Sequence, residues 1–377
     1  MQTAWLLTGL CVAAGVLAKG ALAQAGSEPI DPATATTREG SDLLWYDIRA
    51  LGVEGQGFGD LAHPFDRLPA KAEGVVREPV WDLSHNSAGL CVRFVADATT
   101  VSAHWKLRSG SLAMDHMPAT GVSGLDLYGR DEAGWHWVGV GRPGAVENDS
   151  TLASGLDPGP REFILYLPLY NGVDEVLLGL PKGATLSPAP PRPDTKPIVF
   201  YGTSVTQGGC AARPGMAYPA ILGRWLGRAT VNLGFSGNGQ MEPEVAELVA
   251  EIDAAAYVID CLPNMSPELV TERAALLVRV LRKAHPDVPI VLVENITYQQ
   301  SPLVQGLRDG VREKNEALRE AYDELVAEGV TGLTYMPGAG LLGGDGEATV
   351  DGTHPTDLGF MRIAEALRPV LERALRS

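Results

Sequence analysis

Four prolines crowd into Ser187-Pro188-Ala189-Pro190-Pro191-Arg192-Pro193. Each lacks an amide donor and has its φ fixed by the ring, so this segment is expected to continue neither a strand nor a helix. It separates two stretches with different apolar rhythm, and 377 residues exceed what one hydrophobic core usually serves. A linker is therefore placed at 185–196, between two domains.

Upstream, from 41 to 184, the apolar runs are short. Leu90-Cys91-Val92-Arg93-Phe94-Val95, Thr100-Val101-Ser102-Ala103-His104-Trp105 and Phe163-Ile164-Leu165-Tyr166-Leu167 are punctuated by Gly, Pro, Asn and Asp. Short alternating segments with turn signals between them predict an antiparallel, jelly-roll-like β-sandwich. Its tryptophans, Trp45, Trp81, Trp105, Trp135 and Trp137, read as core in preference to sugar-stacking platforms. Residues 24–40 carry no apolar period and read as a flexible leading segment.

Downstream, from 197 to 377, strand candidates at 197–201, 230–233, 257–260, 290–294 and 332–336 alternate with helical stretches at 218–226, 244–252, 267–284, 311–328 and 356–374. That alternation predicts an α/β domain with a doubly wound parallel five-stranded sheet. Ligands in such sheets bind at the carboxyl ends of the strands.

The amino terminus reads as a cleaved leader over 1–23: an apolar run from Ala4 to Ala18, then Ala21-Leu22-Ala23. The run is shorter than the ~20 residues a spanning helix needs. A secreted or periplasmic protein without stable membrane insertion is expected. The net charge of −16 disfavours nucleic acid and anionic lipid as partners. Beyond the leader remain Cys91, Cys210 and Cys261, so at most one intrachain disulfide can form.

Chemistry gathers after the strands. Gly202-Thr203-Ser204-Val205-Thr206-Gln207-Gly208 follows the first, placing a serine in a tight turn with its own amide available to an anion. Asp351-Gly352-Thr353-His354-Pro355 follows the last. A carboxylate three residues before a histidine can hold the Nδ1 proton and leave Nε2 to deprotonate Ser204. Asn232-Leu233-Gly234-Phe235-Ser236-Gly237-Asn238-Gly239 and Asp260-Cys261-Leu262-Pro263-Asn264 follow the second and third strands. A glycine amide from the first of these loops and the Asn264 carboxamide from the second, with the Ser204 amide, would make a three-donor oxyanion hole.

These four segments resemble, in order, the blocks of the SGNH (GDSL-like) hydrolase superfamily: Ser204, Gly237, Asn264 and His354, with Asp351 as triad acid. Gly-Thr-Ser stands in place of Gly-Asp-Ser, and Leu262-Pro263-Asn264-Met265 lacks the glycine and trailing acid usual in the third block. Gly208-Gly209-Cys210-Ala211-Ala212-Arg213-Pro214-Gly215-Met216-Ala217-Tyr218 and Gly124-Leu125-Asp126-Leu127-Tyr128 are similar to a bacterial subgroup with an N-terminal β-domain carrying Gly-x-Asp-Leu-Tyr. The resemblance implies a flavodoxin-like sheet in the order 2-1-3-4-5, Gly237 as the glycine donor of the oxyanion hole, and a serine esterase acting on O-acyl groups of an acylated small molecule or carbohydrate, O-acetyl in particular, without a cofactor. A lipase, thioesterase or acyltransferase of the same fold, or a glycan-binding protein with a vestigial hydrolase domain, are the alternatives.

Arg213 and His116 are candidate substrate contacts, and Cys210 with Cys261 a candidate disulfide between neighbouring strand ends. The other histidines form no spaced ligand cluster, so no metal is expected. Asn148-Asp149-Ser150 and Asn295-Ile296-Thr297 fit a glycosylation pattern.

Overall fold

The computed structural model describes residues 27–376, and the leader expected over 1–23 lies outside the described residues. The first half builds two antiparallel sheets. Their strands are β1 (Thr36–Thr37), β2 (Leu43–Asp47), β3 (Val53–Glu54), β4 (Cys91–Ala96), β5 (Thr100–Leu107), β6 (Leu125–Asp131), β7 (Gly134–Gly141), β8 (Glu147–Ser154), β9 (Arg161–Tyr166), β10 (Val173–Pro181) and β11 (Leu186–Pro188). One sheet runs β1-β2-β10-β5-β8 and the other β11-β4-β9-β6-β7, with β3 also on β4. Alternate residues of both enter one core: Ala103 and Trp105 of β5 and Leu178 of β10 meet Phe94 of β4 and Phe163 of β9. Trp45 and Trp105 are buried as expected, whereas Trp137 is half exposed.

Two expectations for this half need correction. Residues 27–40 are tied to the sandwich: Thr36 and Thr37 pair with Trp45 and Leu44, and the Ile30 amide donates to the Leu186 carbonyl. The proline-rich segment begins inside a strand, because β11 pairs with β4 through Leu186–Pro188. That strand is the sheet's edge, where a missing amide breaks no ladder. The asparagines of both glycosylation patterns are buried and hydrogen-bonded, Asn148 to the amides of Gly144 and Ala145, and Asn295 to the Ile296 carbonyl.

The second half is a parallel sheet of β12 (Ile198–Gly202), β13 (Thr230–Gly234), β14 (Ala256–Asp260), β15 (Ile290–Val293) and β16 (Leu333–Met336) in the order β13-β12-β14-β15-β16. This is the 2-1-3-4-5 order the resemblance implies. Every residue of β12 is buried, since helices cover both faces. Val199 and Tyr201 face a core shared with α5 (Pro243–Val249), α6 (Pro267–Ala284) and α7 (Gln305–Ala327). Ile198 and Phe200 face one shared with α4 (Tyr218–Leu226) and α8 (Asp357–Ala374). The sequence signals for α6 are all used: Ser266 caps it, Pro267 and Glu268 open it, and Arg282 and Lys283 sit in its last turn. Among the described residues no helix is long and apolar enough to cross a membrane.

The two halves are not simply strung together. Between β3 and β4 the chain leaves the sandwich, forms the helix α1 (Glu78–Ser84), and places Leu68, Ala72, Val76 and Val80 in the core beneath the parallel sheet. Arg67 pins this excursion. Its side chain, 1% exposed, donates to the carbonyls of Leu83 (2.6 Å), Asn86 (2.8 Å), Asn232 (3.0 Å) and Gly234 (2.7 Å). A guanidinium is the one side chain with enough fixed donors for four such acceptors. Arg67→Ala leaves four carbonyls without their donor, two of them buried, and should cost about 2–6 kcal/mol. Arg67→Lys should recover little of it, as read from thermal or urea unfolding; near-wild-type stability of either variant would contradict this role.

Candidate active site

Strand register brings the chemistry together. Gly202 at the end of β12 pairs with Gly234 of β13 and Asp260 of β14, so three loops leave one edge of the sheet side by side. The first carries Ser204 at the start of the short helix α3 (Ser204–Gln207). Thr203 caps it by accepting from the Val205 amide, and Gly208 ends it at φ 112°. A Cβ on Gly202 would lie 2.1 Å from Thr206 Oγ1, so only glycine allows α3 to turn this tightly over the strand. Beneath α3 the Asp260 carboxylate accepts from Thr206 and Tyr218, both at 3.1 Å, and burial lifts its pKa to about 7.

His354 reaches Ser204 from the loop before α8. Its Nε2 lies 2.9 Å from Ser204 Oγ, and its Nδ1 lies 2.7 Å from Asp351 Oδ2. With the proton on Nδ1 held by that carboxylate, Nε2 accepts from the hydroxyl. Asp351 Oδ1 in turn accepts the amides of Thr353 (3.0 Å) and His354 (2.8 Å). Burial opposes the charge on Asp351, but these amides and the imidazole outweigh it and hold its pKa at about 2. Gln300 Nε2 donates to the Asp351 carbonyl at 2.6 Å, and Gln299 Oε1 takes the Thr349 hydroxyl and amide, which fixes the loop.

Two more candidate donors stand in the loops after β13 and β14. Gly237 sits at φ 71° in the loop after β13, and its amide makes no hydrogen bond among the described residues. Asn264 closes a single 3-10 turn after β14; its Oδ1 accepts the Gly239 amide at 3.3 Å, leaving Nδ2 to donate elsewhere. As first residue of α3, Ser204 presents an amide with no acceptor in the helix. Fully buried Gln207 joins the loops, donating to Asn86 Oδ1 and the Leu169 carbonyl and accepting the Ser236 amide. Such a set can activate a hydroxyl and receive an oxyanion.

A cavity of about 440 Å³ opens beside His354. It is walled by Pro79, Asp82 and Leu83 of α1, by Met114, His116 and Met117, by Tyr170, and by Gly209, Ser236 and Asn238. The sandwich half thus supplies most of its wall. The exposed His116 ring lies 5.5 Å from that of His354, so the structure does place this candidate at the site. Tyr170, whose hydroxyl donates to the Ser204 carbonyl at 3.3 Å, and the methionines were not foreseen. Their only trace in the sequence is the turn-forming company they keep.

Arg213 faces away from the cavity, and the cysteines are not bridged. Arg213 donates to Asp126 (2.8 Å) and Tyr128 (2.5 Å), so it joins the sandwich to the segment after α3 and does not face the cavity. Asp126 is fully buried and also accepts the Gly215 amide (2.8 Å) and Trp137 Nε1 (3.0 Å). Burial raises its pKa even so, against the pull of Arg213. The expected Cys210–Cys261 bridge is absent; both are free thiols. They lie on opposite faces of the sheet, Cys261 packed with Tyr201 and Cys210 with Phe200, so neighbouring strands do not bring them together.

Arg213→Ala should therefore lower stability by about 3 kcal/mol, by leaving a buried carboxylate unpaired, with KM unchanged; a raised KM at unchanged stability would return Arg213 to the substrate. For Asp351, whose folded pKa lies below the ~3.9 of a free carboxyl, the stabilisation is complete above about pH 4 and lost only as pH falls toward 2. Carbon-13 titration of its carboxyl checks this, and a midpoint near 4 would contradict it.

A model of the GDSL-like lipase/acylhydrolase family matches residues 195–372, and one of the N-terminus of SGNH-hydrolase-type esterases, known by its GxDLY motif, matches 43–186. A search of curated proteins finds no match. Among solved structures, one described as a GDSL-like lipase from Bacteroides ovatus is 35% identical, covers 89% of this chain and 98% of its own, and superposes with a TM-score of 0.84. A salicylyl-acyltransferase from a tetracycline biosynthetic pathway is 19% identical over 89% of this chain and 98% of its own, with a TM-score of 0.72. An acetyl xylan esterase from Butyrivibrio proteoclasticus is 11% identical over 88% and 99%, with a TM-score of 0.55. The last two share the fold. With a family model on each half and a 35% identical relative matched over nearly its whole length, the chain belongs to the GDSL-like, SGNH-type esterases and is an enzyme that cleaves esters by hydrolysis.

Proposed function

We propose that Ser204 is the nucleophile, His354 its general base and Asp351 the residue that orients His354, in a secreted or periplasmic enzyme that removes O-acetyl groups from carbohydrate. The observation that carries the triad is the chain of contacts from Ser204 Oγ through His354 to Asp351, at 2.9 and 2.7 Å. Attack on an ester carbonyl moves the Ser204 proton to Nε2. The amides of Ser204 and Gly237 and the Asn264 carboxamide take the oxyanion, and His354 returns the proton to the departing alcohol. Water then attacks the acyl-enzyme by the reverse route and releases the acid. No cofactor enters this sequence.

The carbohydrate reading rests on two supports. The cavity next to His354, where the leaving alcohol must sit to be protonated, offers the polar groups Asp82, His116, Ser236 and Asn238 together with the apolar chains of Met114 and Met117, a mixed lining that suits a sugar. The fold is shared with the acetyl xylan esterase. Secretion rests on the leader-like sequence at 1–23. A second reading, hydrolysis of a longer or aromatic acyl ester, is favoured by the apolar wall of Pro79, Leu83 and Tyr170 in the same cavity.

Ser204→Ala should reduce turnover of acetylated polysaccharide and of p-nitrophenyl acetate by at least about 10³-fold while leaving the unfolding midpoint in place. Asn264→Ala should cost about 2.7–4 kcal/mol of transition-state stabilisation. Undiminished turnover by Ser204→Ala would end the nucleophile assignment. Faster release of long or aromatic acids than of acetate would replace the first reading by the second.

A further inference from the structure

One cluster beside the active site has a chemistry that ester hydrolysis does not require. The imidazoles of His116 and His354 and the thiol of Cys210 offer three ligand atoms, all within 4.8 Å of one another. They come from three distant parts of the chain: the sandwich loop before α2 (Ala119–Val122), the turn after α3, and the loop before α8. That separation hides them from any search for ligand spacing in the sequence. We propose that His116, Cys210 and His354 form a binding site for a soft divalent cation, Zn²⁺ foremost, whose occupancy switches ester hydrolysis off.

Two imidazole nitrogens and one thiolate are a donor set that zinc takes readily and that calcium and magnesium refuse. Zinc bond lengths of about 2.0–2.3 Å in a tetrahedral arrangement place ligand atoms about 3.3–3.6 Å apart, so the trio must draw in by roughly an ångström. His116 can make that movement, since it is exposed, whereas Cys210 is packed in the core beneath α8. Asp351 already holds His354 Nδ1, leaving Nε2 as the coordinating atom. A carboxylate on the far nitrogen is also the partner that metal-bound histidines usually have.

The consequence for catalysis follows from that atom. His354 Nε2 is the acceptor that faces Ser204 Oγ at 2.9 Å. On binding, the Nε2 lone pair goes to the metal, the Ser204–His354 hydrogen bond breaks, and a bond to Cys210 Sγ forms as the thiol proton leaves to solvent. Water or Ser204 Oγ fills the fourth position. The ion would also stand against His116 in the cavity wall, so it removes the base and narrows the substrate's place in one step.

The test uses the full-length enzyme, freed of metal by a chelator and titrated with buffered Zn²⁺. One equivalent should bind, hydrolysis of p-nitrophenyl acetate should fall as it does, and chelator should restore the rate. Cobalt in place of zinc should show a thiolate-to-metal charge-transfer band, which reports the site whether or not the ester assay gives turnover. Cys210→Ser should keep its basal rate, need at least about tenfold more zinc for the same inhibition, and lose the band. Exposed His116→Gln should keep the fold and weaken cobalt binding. Equal zinc inhibition of the wild type and Cys210→Ser, a cobalt complex without the thiolate band, or unchanged cobalt binding by His116→Gln would each overturn the proposal.

Discussion

Arg67 is a sandwich-half residue whose guanidinium is spent on holding the catalytic half. It reaches the carbonyls of Asn232 and Gly234 at the end of β13, just before the loop that carries Gly237, and its charge lies over the Phe235 ring at 5.0 Å. Burying such a charge costs several kcal/mol unless its donors are met. Here four carbonyls meet them, and hydrogen bonds from a charged donor contribute about 1.5–3 kcal/mol each. Desolvation thus favours one arrangement of the two halves, because any other leaves the cation or its acceptors unsatisfied.

A second buried charge does the same work on the other side. Asp126, from the Gly-Leu-Asp-Leu-Tyr strand, gathers Arg213, the Gly215 amide and Trp137. Arg224 stacks over Tyr128 of that strand at 4.0 Å and donates to the Gly215 carbonyl. The segment following α3 is therefore held by Asp126 of the sandwich at the Gly215 amide and by Arg224, stacked on the sandwich's Tyr128, at the Gly215 carbonyl. The sandwich loops of Met114 to Met117 and Tyr170 also wall the cavity beside His354.

Much of this was legible because it is local. The Asp351-x-x-His354 turn needs only one loop to bring carboxylate and imidazole together, and the run of apolar strands and amphipathic helices marks the strands whose parallel pairing aligns Gly202, Gly234 and Asp260. Cys210 does not stand at a strand end: it follows α3 and packs in the core shared with α4 and α8, whereas Cys261, directly after β14, packs in the core on the other side of the sheet. Pro188 misled because a missing amide forbids an interior strand but not the outer edge of one.

The sequence by itself determined the two-part architecture, the parallel strands and helices of the second half, and the positions Ser204, Asp351 and His354 now found joined by hydrogen bonds, because periodicity, turn chemistry and short loops act over a few residues. Only the tertiary structure decided which cavity those residues face. The excursion through Arg67 and α1, the pairing of Arg213 with Asp126, and the meeting of His116, Cys210 and His354 join positions roughly a hundred residues or more apart. Such contacts are selected by burial and by the satisfaction of charge inside the folded chain, and no local pattern records them.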